Sequence, residues 1–92
     1  MIKTIRHKGL KQFYEKSDTS KIQPQQAKRL RLILGILKRA KTASDMNFPG
    51  SELHSLSGNL KGFWSVKVSG NWRIIFRIEE GDVYDVDYLD YH

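Results

Sequence analysis

The chain has 92 residues, 39% of them hydrophobic and 28% charged, with a net charge of +6 and no cysteine. This excludes disulfides, thiolate catalysis and thiolate metal sites. It also argues against disorder, and no apolar run approaches the roughly 20 residues of a membrane span. Such a length buries roughly 60–65% of the unfolded surface, so residues 1–92 are expected to form one domain.

In chain order, MIKTIR reads as a short strand through Ile2 and Ile5. The N-terminal stretch MIKTIRHKGLKQF has no apolar core of a secretory signal, which with the missing cysteine fits a cytoplasmic protein. His7, between Arg6 and Lys8, reads as a plain surface residue. Leu10, Phe13 and Tyr14 fall at helical spacing and predict a short helix over residues 8–17. A second helix is expected from about Pro24 to Lys41. Proline is tolerated at its start, and Ala27, Leu30, Ile33, Leu34, Leu37 and Ala40 form one apolar stripe. Lys28, Arg31, Lys38 and Arg39 lie off that stripe as a basic outer face. TASDMNFPG is a loop with room for one helical turn, and ELHSLSGNLKG is a glycine-punctuated loop.

From residue 63 the period changes to two. Trp64, Val66 and Val68 alternate with Ser65 and Lys67; Trp72, Ile74, Phe76 and Ile78 alternate with Arg73, Ile75 and Arg77. Gly70-Asn71 between them predicts a tight hairpin, and Glu79-Glu80-Gly81-Asp82 a second turn. VYDVDYL is a third strand, with Tyr84, Val86 and Tyr88 expected on one face. A meander with one apolar face needs a cover, and the two helices supply it: the fold class is two-layer α+β.

Charge is unevenly placed. Residues 1–45 carry twelve Lys/Arg against three Asp/Glu, and residues 46–92 four against seven. A basic half points to a polyanion partner; a solubilising surface is the equal alternative. On the face that the helices leave open, Arg73 and the loop residue His54 are candidates for chemistry. Asp90 and His92, two residues apart, would share a face with each other if the last strand continues, with Tyr91 pointing away. Imidazoles near neutrality, a carboxylate and a guanidinium are the parts RNA transesterification needs: a base for the 2′-OH, an acid for the leaving 5′ oxygen and a cation for the phosphorane. No cofactor or metal is required. The competing readings are Arg73 and Arg77 paired with Asp85 and Asp87, the tryptophans as core residues, and zinc held by His54, Asp90 and His92, a set without compact spacing.

The runs L-x-x-L-x-G at Leu53–Gly58 and G-x-W-S-V-K-V-x-x-N-W-R-I-x-F at Gly62–Phe76, the terminal Asp90-Tyr91-His92 and the opening Ile2–Leu10 resemble the HigB toxins of the RelE/ParE superfamily, over nearly the whole chain. The resemblance implies a small antiparallel sheet against two N-terminal helices, the RelE-like fold. It implies a ribosome-dependent, metal-independent endoribonuclease acting on mRNA, neutralised by a helix-turn-helix antitoxin of the HigA type. Catalytic positions then fall on His54, Arg73, Asp90, Tyr91 and His92. Lys28, Arg31, Lys38, Arg39, Lys61 and Arg77 would hold RNA or the ribosome. Some HigB toxins carry a lysine three residues after the loop histidine; here that position is Ser57, with Lys61 as the stand-in. A gyrase inhibitor like ParE and a non-enzymatic ribosome-binding module are the alternatives.

Overall fold

The structure, a computed structural model, describes residues 1–91. The first helix, α1, spans Lys8–Lys16. Its start is set by His7, whose Nδ1 accepts the Leu10 backbone N–H at 2.9 Å and whose ring stands edge-on to Tyr88. His7 is therefore a helix cap and not the plain surface residue its charged neighbours suggest; imidazole does here what Ser or Asp usually does. Gly9 is required by close approach: a Cβ there would lie 2.6 Å from the Lys21 Cβ and 2.8 Å from the Lys21 carbonyl oxygen.

A single 3₁₀ turn at Pro24–Gln26 leads into α2, Ala27–Arg39. Leu30, Ile33, Leu34 and Leu37 on its inner stripe are buried, together with Ala40 just beyond the helix. They pack with Leu10 and Phe13 of α1 and with one face of a four-stranded antiparallel sheet. No helix among the described residues is long and apolar enough to cross a membrane.

The sheet runs in sequence order, β1 (His54–Ser55), β2 (Trp64–Ser69), β3 (Trp72–Glu79) and β4 (Asp82–Asp90). The two-residue β1 replaces part of the expected loop. The N-terminal segment is not a full strand: it touches β4 through isolated parallel bridges at Ile2–Val83 and Ile5–Val86. The Gly70-Asn71 hairpin forms as expected, with Gly70 at φ 54° where a side chain is disfavoured.

Two irregularities break the simple alternation. Asp85 takes φ 56°, so Asp85 and Val86 together oppose Phe76, a β-bulge. Val83, Val86 and Tyr88 therefore face the core, while Tyr84 turns to the other side, where the Arg77 guanidinium lies over its ring. The expectation that Tyr84 shares a face with Val86 and Tyr88 fails for this reason. A second register shift falls between Lys67 and Ser69.

Candidate active site

The sheet face away from the helices is ordered by register. Two cross-strand rows matter. One is His54–Ser65–Ile75–Asp87 and the other is Lys67–Arg73–Leu89. Directly paired residues in an antiparallel sheet point to the same side, so His54, Lys67 and Arg73 share the open face. Phe63 and Ile75 are buried but lie outside the cluster the helices cover.

His54 is exposed, and its Nδ1 lies 3.1 Å from the backbone carbonyl of Glu52. A carbonyl can only accept, so Nδ1 carries the proton in that bond, and the neutral ring keeps its Nε2 lone pair for another proton. Glu52 presents its carbonyl this way from a left-handed backbone, φ 47°, rare for a residue with a side chain. Its carboxylate reaches Lys67 Nζ at 3.2 Å. That hydrogen bond and the Lys67 charge hold the Glu52 carboxyl below the usual carboxylate range; the Arg73 charge, and that of His54 when its ring is protonated, add to the effect and desolvation opposes it. Glu52 and Lys67 were not singled out from the sequence. Alternation places Lys67 on the face of Arg73, but only the register makes the two direct partners.

Three buried side-chain polar atoms among the described residues have no hydrogen-bond partner within the chain: Arg73 Nη1, Ser65 Oγ and Ser51 Oγ. Ser65 is the direct partner of His54, and the Ser51 carbonyl accepts the Lys67 backbone N–H at 2.7 Å. Native proteins rarely leave such groups unsatisfied; Arg73 and Ser65 lie on the strands of the open face, and Ser51 is joined to them through its backbone. Arg29 of α2 steadies the patch from behind. Its guanidinium donates to the carbonyls of Gly50 and Lys67 and lies over the Phe48 ring.

The tail is placed differently from expectation. Asp90 pairs with Trp72, on the side of the core tyrosine Tyr88, while Arg73 pairs with Leu89. Asp90 thus does not share the open face with Arg73 and His54; it is exposed at the end of the sheet. The Tyr91 N–H donates to the Asn71 carbonyl at 2.8 Å, carrying the ladder one residue past β4. His92 lies outside the described residues. A polar network underpins this end. The Tyr88 hydroxyl donates to Gln26 Oε1, Gln26 Nε2 donates to Ser69 Oγ, and Trp72 stacks on the Tyr88 ring. Burial, helped by the Asp90 charge, pushes the Tyr88 phenol above its ordinary value against the pull of the Gln23 N–H.

The expected RNA-holding cations divide. Lys28, Arg31, Lys38 and Arg39 are exposed on α2, on the far side of the molecule from the open face, and Arg31 also lies over the Phe13 ring. Lys61 is exposed, just past a 3₁₀ turn at Gly58–Leu60. Arg77 is engaged: its Nε donates to Asp85 at 2.7 Å and its Nη1 pairs with Glu79. This is the cross-strand pairing set out above as the competing reading of that residue.

Comparison with known proteins identifies relatives of the chain. Residues 3–92 match the model of a family described as the RelE-like toxin of type II toxin–antitoxin system HigB. A Proteus vulgaris protein named endoribonuclease HigB is 40% identical over 92 residues, the full length of both chains. Toxin HigB-1 of Vibrio cholerae serotype O1 is 36% identical over 90 residues, covering 96% of this chain and 94% of that one. Among solved structures, the YoeB–YefM complex of Staphylococcus aureus matches with a TM-score of 0.66 at 14% identity, covering 100% of this chain and 95% of that one. The YoeB dimer of the same species gives 0.62 at 15%, covering 99% and 94%. At such identity the structural match speaks for the fold alone.

Proposed function

The chain belongs to the HigB-like family of RelE-like toxins from type II toxin–antitoxin systems, and from that premise we propose that it is an endoribonuclease that cuts messenger RNA on the ribosome. The observation that carries this reading is the open-face set: a histidine with a committed tautomer beside two cations, one with an unsatisfied buried N–H. His54 Nε2 takes the proton of the ribose 2′-OH. Arg73 holds the scissile phosphate and the charge that grows on it, in the fork geometry guanidinium gives. The proton that goes to the leaving 5′ oxygen is carried or oriented by His92 and by Asp90, which acts from the end of the sheet and not from the open face, and Tyr91 stacks on a base. These steps use side chains only.

The basic face of α2 grips ribosomal RNA through its phosphates without reading sequence, in the cytoplasm. A helix-turn-helix antitoxin of the HigA type neutralises the toxin; the antitoxin bound to YoeB in the matched complex supports a partner of that role. The name of the Proteus relative sides with RNA cleavage against gyrase inhibition. Mapping mRNA 5′ ends in induced cells tests the reading. New ends inside translated reading frames are expected. Intact messages with a DNA-damage response count against it.

A further inference from the structure

Lys67 and Arg73 are direct cross-strand partners on the open face. Like charges in that position repel and destabilise a sheet unless an anion stands with them. In the free protein that anion is the Glu52 carboxylate, 3.2 Å from Lys67 Nζ. The match is incomplete, because Arg73 Nη1 stays buried without a hydrogen-bond partner. The Lys67 side chain is 38% exposed and that of Glu52 56%, so the bridge is open to a competing anion in a way a buried pair is not. Both backbones are held where they are. The Lys67 carbonyl accepts from Arg29 and its N–H donates to Ser51, while the Glu52 carbonyl is tied to His54. Release of the Glu52 side chain leaves Lys67 Nζ, beside its cross-strand partner Arg73, for another anion.

We infer that Lys67 and Arg73 form a two-cation cradle for the scissile phosphate, and that the Glu52 carboxylate occupies it in the free protein as a stand-in which the RNA displaces. The inference rests on the ribonuclease reading and deepens it. Lys67 supplies a second cation beside Arg73. The exposed Lys61, at the 3₁₀ turn, is then not needed for the phosphate itself. Glu52 gives selectivity: a ligand must bring enough negative charge, in the right place, to replace a carboxylate already there.

The test is a titration of inorganic phosphate into the purified protein, followed through the backbone amide resonances of Lys67 and Arg73. Glu52→Gln is expected to tighten phosphate binding several-fold and Lys67→Met to weaken it roughly tenfold, the scale of one charge-assisted hydrogen bond. Lys67→Arg keeps most of the affinity. Opposite signs are the signature, since a merely structural salt bridge moves both variants the same way. Cleavage of ribosome-bound mRNA is measured in parallel; Lys67→Met lowers kcat about tenfold or more, with Lys67→Arg closer to the parent. Unchanged phosphate binding in both Glu52→Gln and Lys67→Met overturns the cradle, even when the parent protein cuts RNA and loses that activity on Arg73→Lys. A parent that cuts no RNA but shows the opposite shifts keeps the anion cradle and removes the nuclease reading.

Discussion

His54 owes its tautomer to a backbone atom. The Glu52 carbonyl takes its Nδ1 proton bond, so no second side chain has to orient the ring. Its direct neighbour is Ser65 and the imidazole is exposed, so truncation leaves the core untouched. His54→Ala is therefore expected to lower cleavage by roughly 10²–10⁴-fold, the usual loss for a missing base, with an unchanged circular dichroism spectrum and melting temperature. A parent-like rate measured at equal protein concentration assigns the base elsewhere. Arg73→Lys keeps the charge and loses the fork; single-turnover cleavage is expected to fall well below the parent and to recover little over Arg73→Ala. Residue by residue, the sequence showed which types could do chemistry but not which of them meet. Alternation put Arg73 on the open face. The register that pairs it with Lys67 and Leu89, and sends Asp90 to Trp72, depends on turns and bulges that alternation does not encode. Glu52 carried no signal, because a left-handed backbone places its carbonyl on His54 and its carboxylate on Lys67, and neither contact shows in the sequence pattern.

At the scale of elements, the helical stripe of α2 and both hairpin turns were legible, since each rests on local periodicity or on glycine. β1 was not, because two residues show no period and the strand exists through its partner β2. The bulge in β4 was hidden for a different reason: its left-handed residue is Asp85, not glycine. Asp85 is held there by Arg77 and Arg6, and its N–H donates to Thr4 Oγ1 at 2.7 Å, which ties β4 to the N-terminal segment. The Arg77 hydrogen bond is the main cause that lowers the Asp85 pKa, with the Arg6 and Arg77 charges adding and desolvation opposing. A carboxyl lowered by folding stabilises the native state above its unfolded value of about 3.9, and that contribution is lost as pH falls through the folded value. Asp85→Asn tolerates the backbone but drops the ion pairs. It is expected to cost about 1 kcal/mol at pH 7 and to flatten the fall in stability below about pH 4, as read by urea melts across pH. An acid limb as steep as the parent's removes Asp85 from that role. Gly9→Ala tests the other tight element. The added methyl meets Lys21 at both its Cβ and its carbonyl oxygen, so a loss of about 1–3 kcal/mol is expected in thermal melts. No loss means the loop before Pro24 gives way freely.

The whole molecule presents two surfaces on opposite sides of one sheet. The helical layer carries the exposed cations Lys28, Arg31, Lys38 and Arg39, and the open layer carries His54, Lys67 and Arg73. This two-layer plan followed from the sequence, because an apolar sheet face and two amphipathic helices have few ways to cover each other. On the proposed reading, this division accounts for a need for the ribosome: alignment of the reacting groups can supply about 7–11 kcal/mol of catalysis, and an open face has little with which to bend a free strand. Neutralising the four α2 cations together is expected to weaken ribosome binding and flatten its salt dependence, measured by co-sedimentation across ionic strength, while leaving the fold intact. Binding equal to the parent's at every salt concentration removes α2 from the contact. The most direct measurement of the central claim is product analysis with purified protein and ribosome-bound mRNA, using a message with a single 2′-deoxy nucleotide 5′ to the cut. Side-chain acid–base cleavage predicts fragments ending in a 2′,3′-cyclic phosphate and beginning with a 5′-OH, and no cut at the deoxy position. Cutting at the deoxy position, or fragments that begin with a 5′-phosphate, would contradict it.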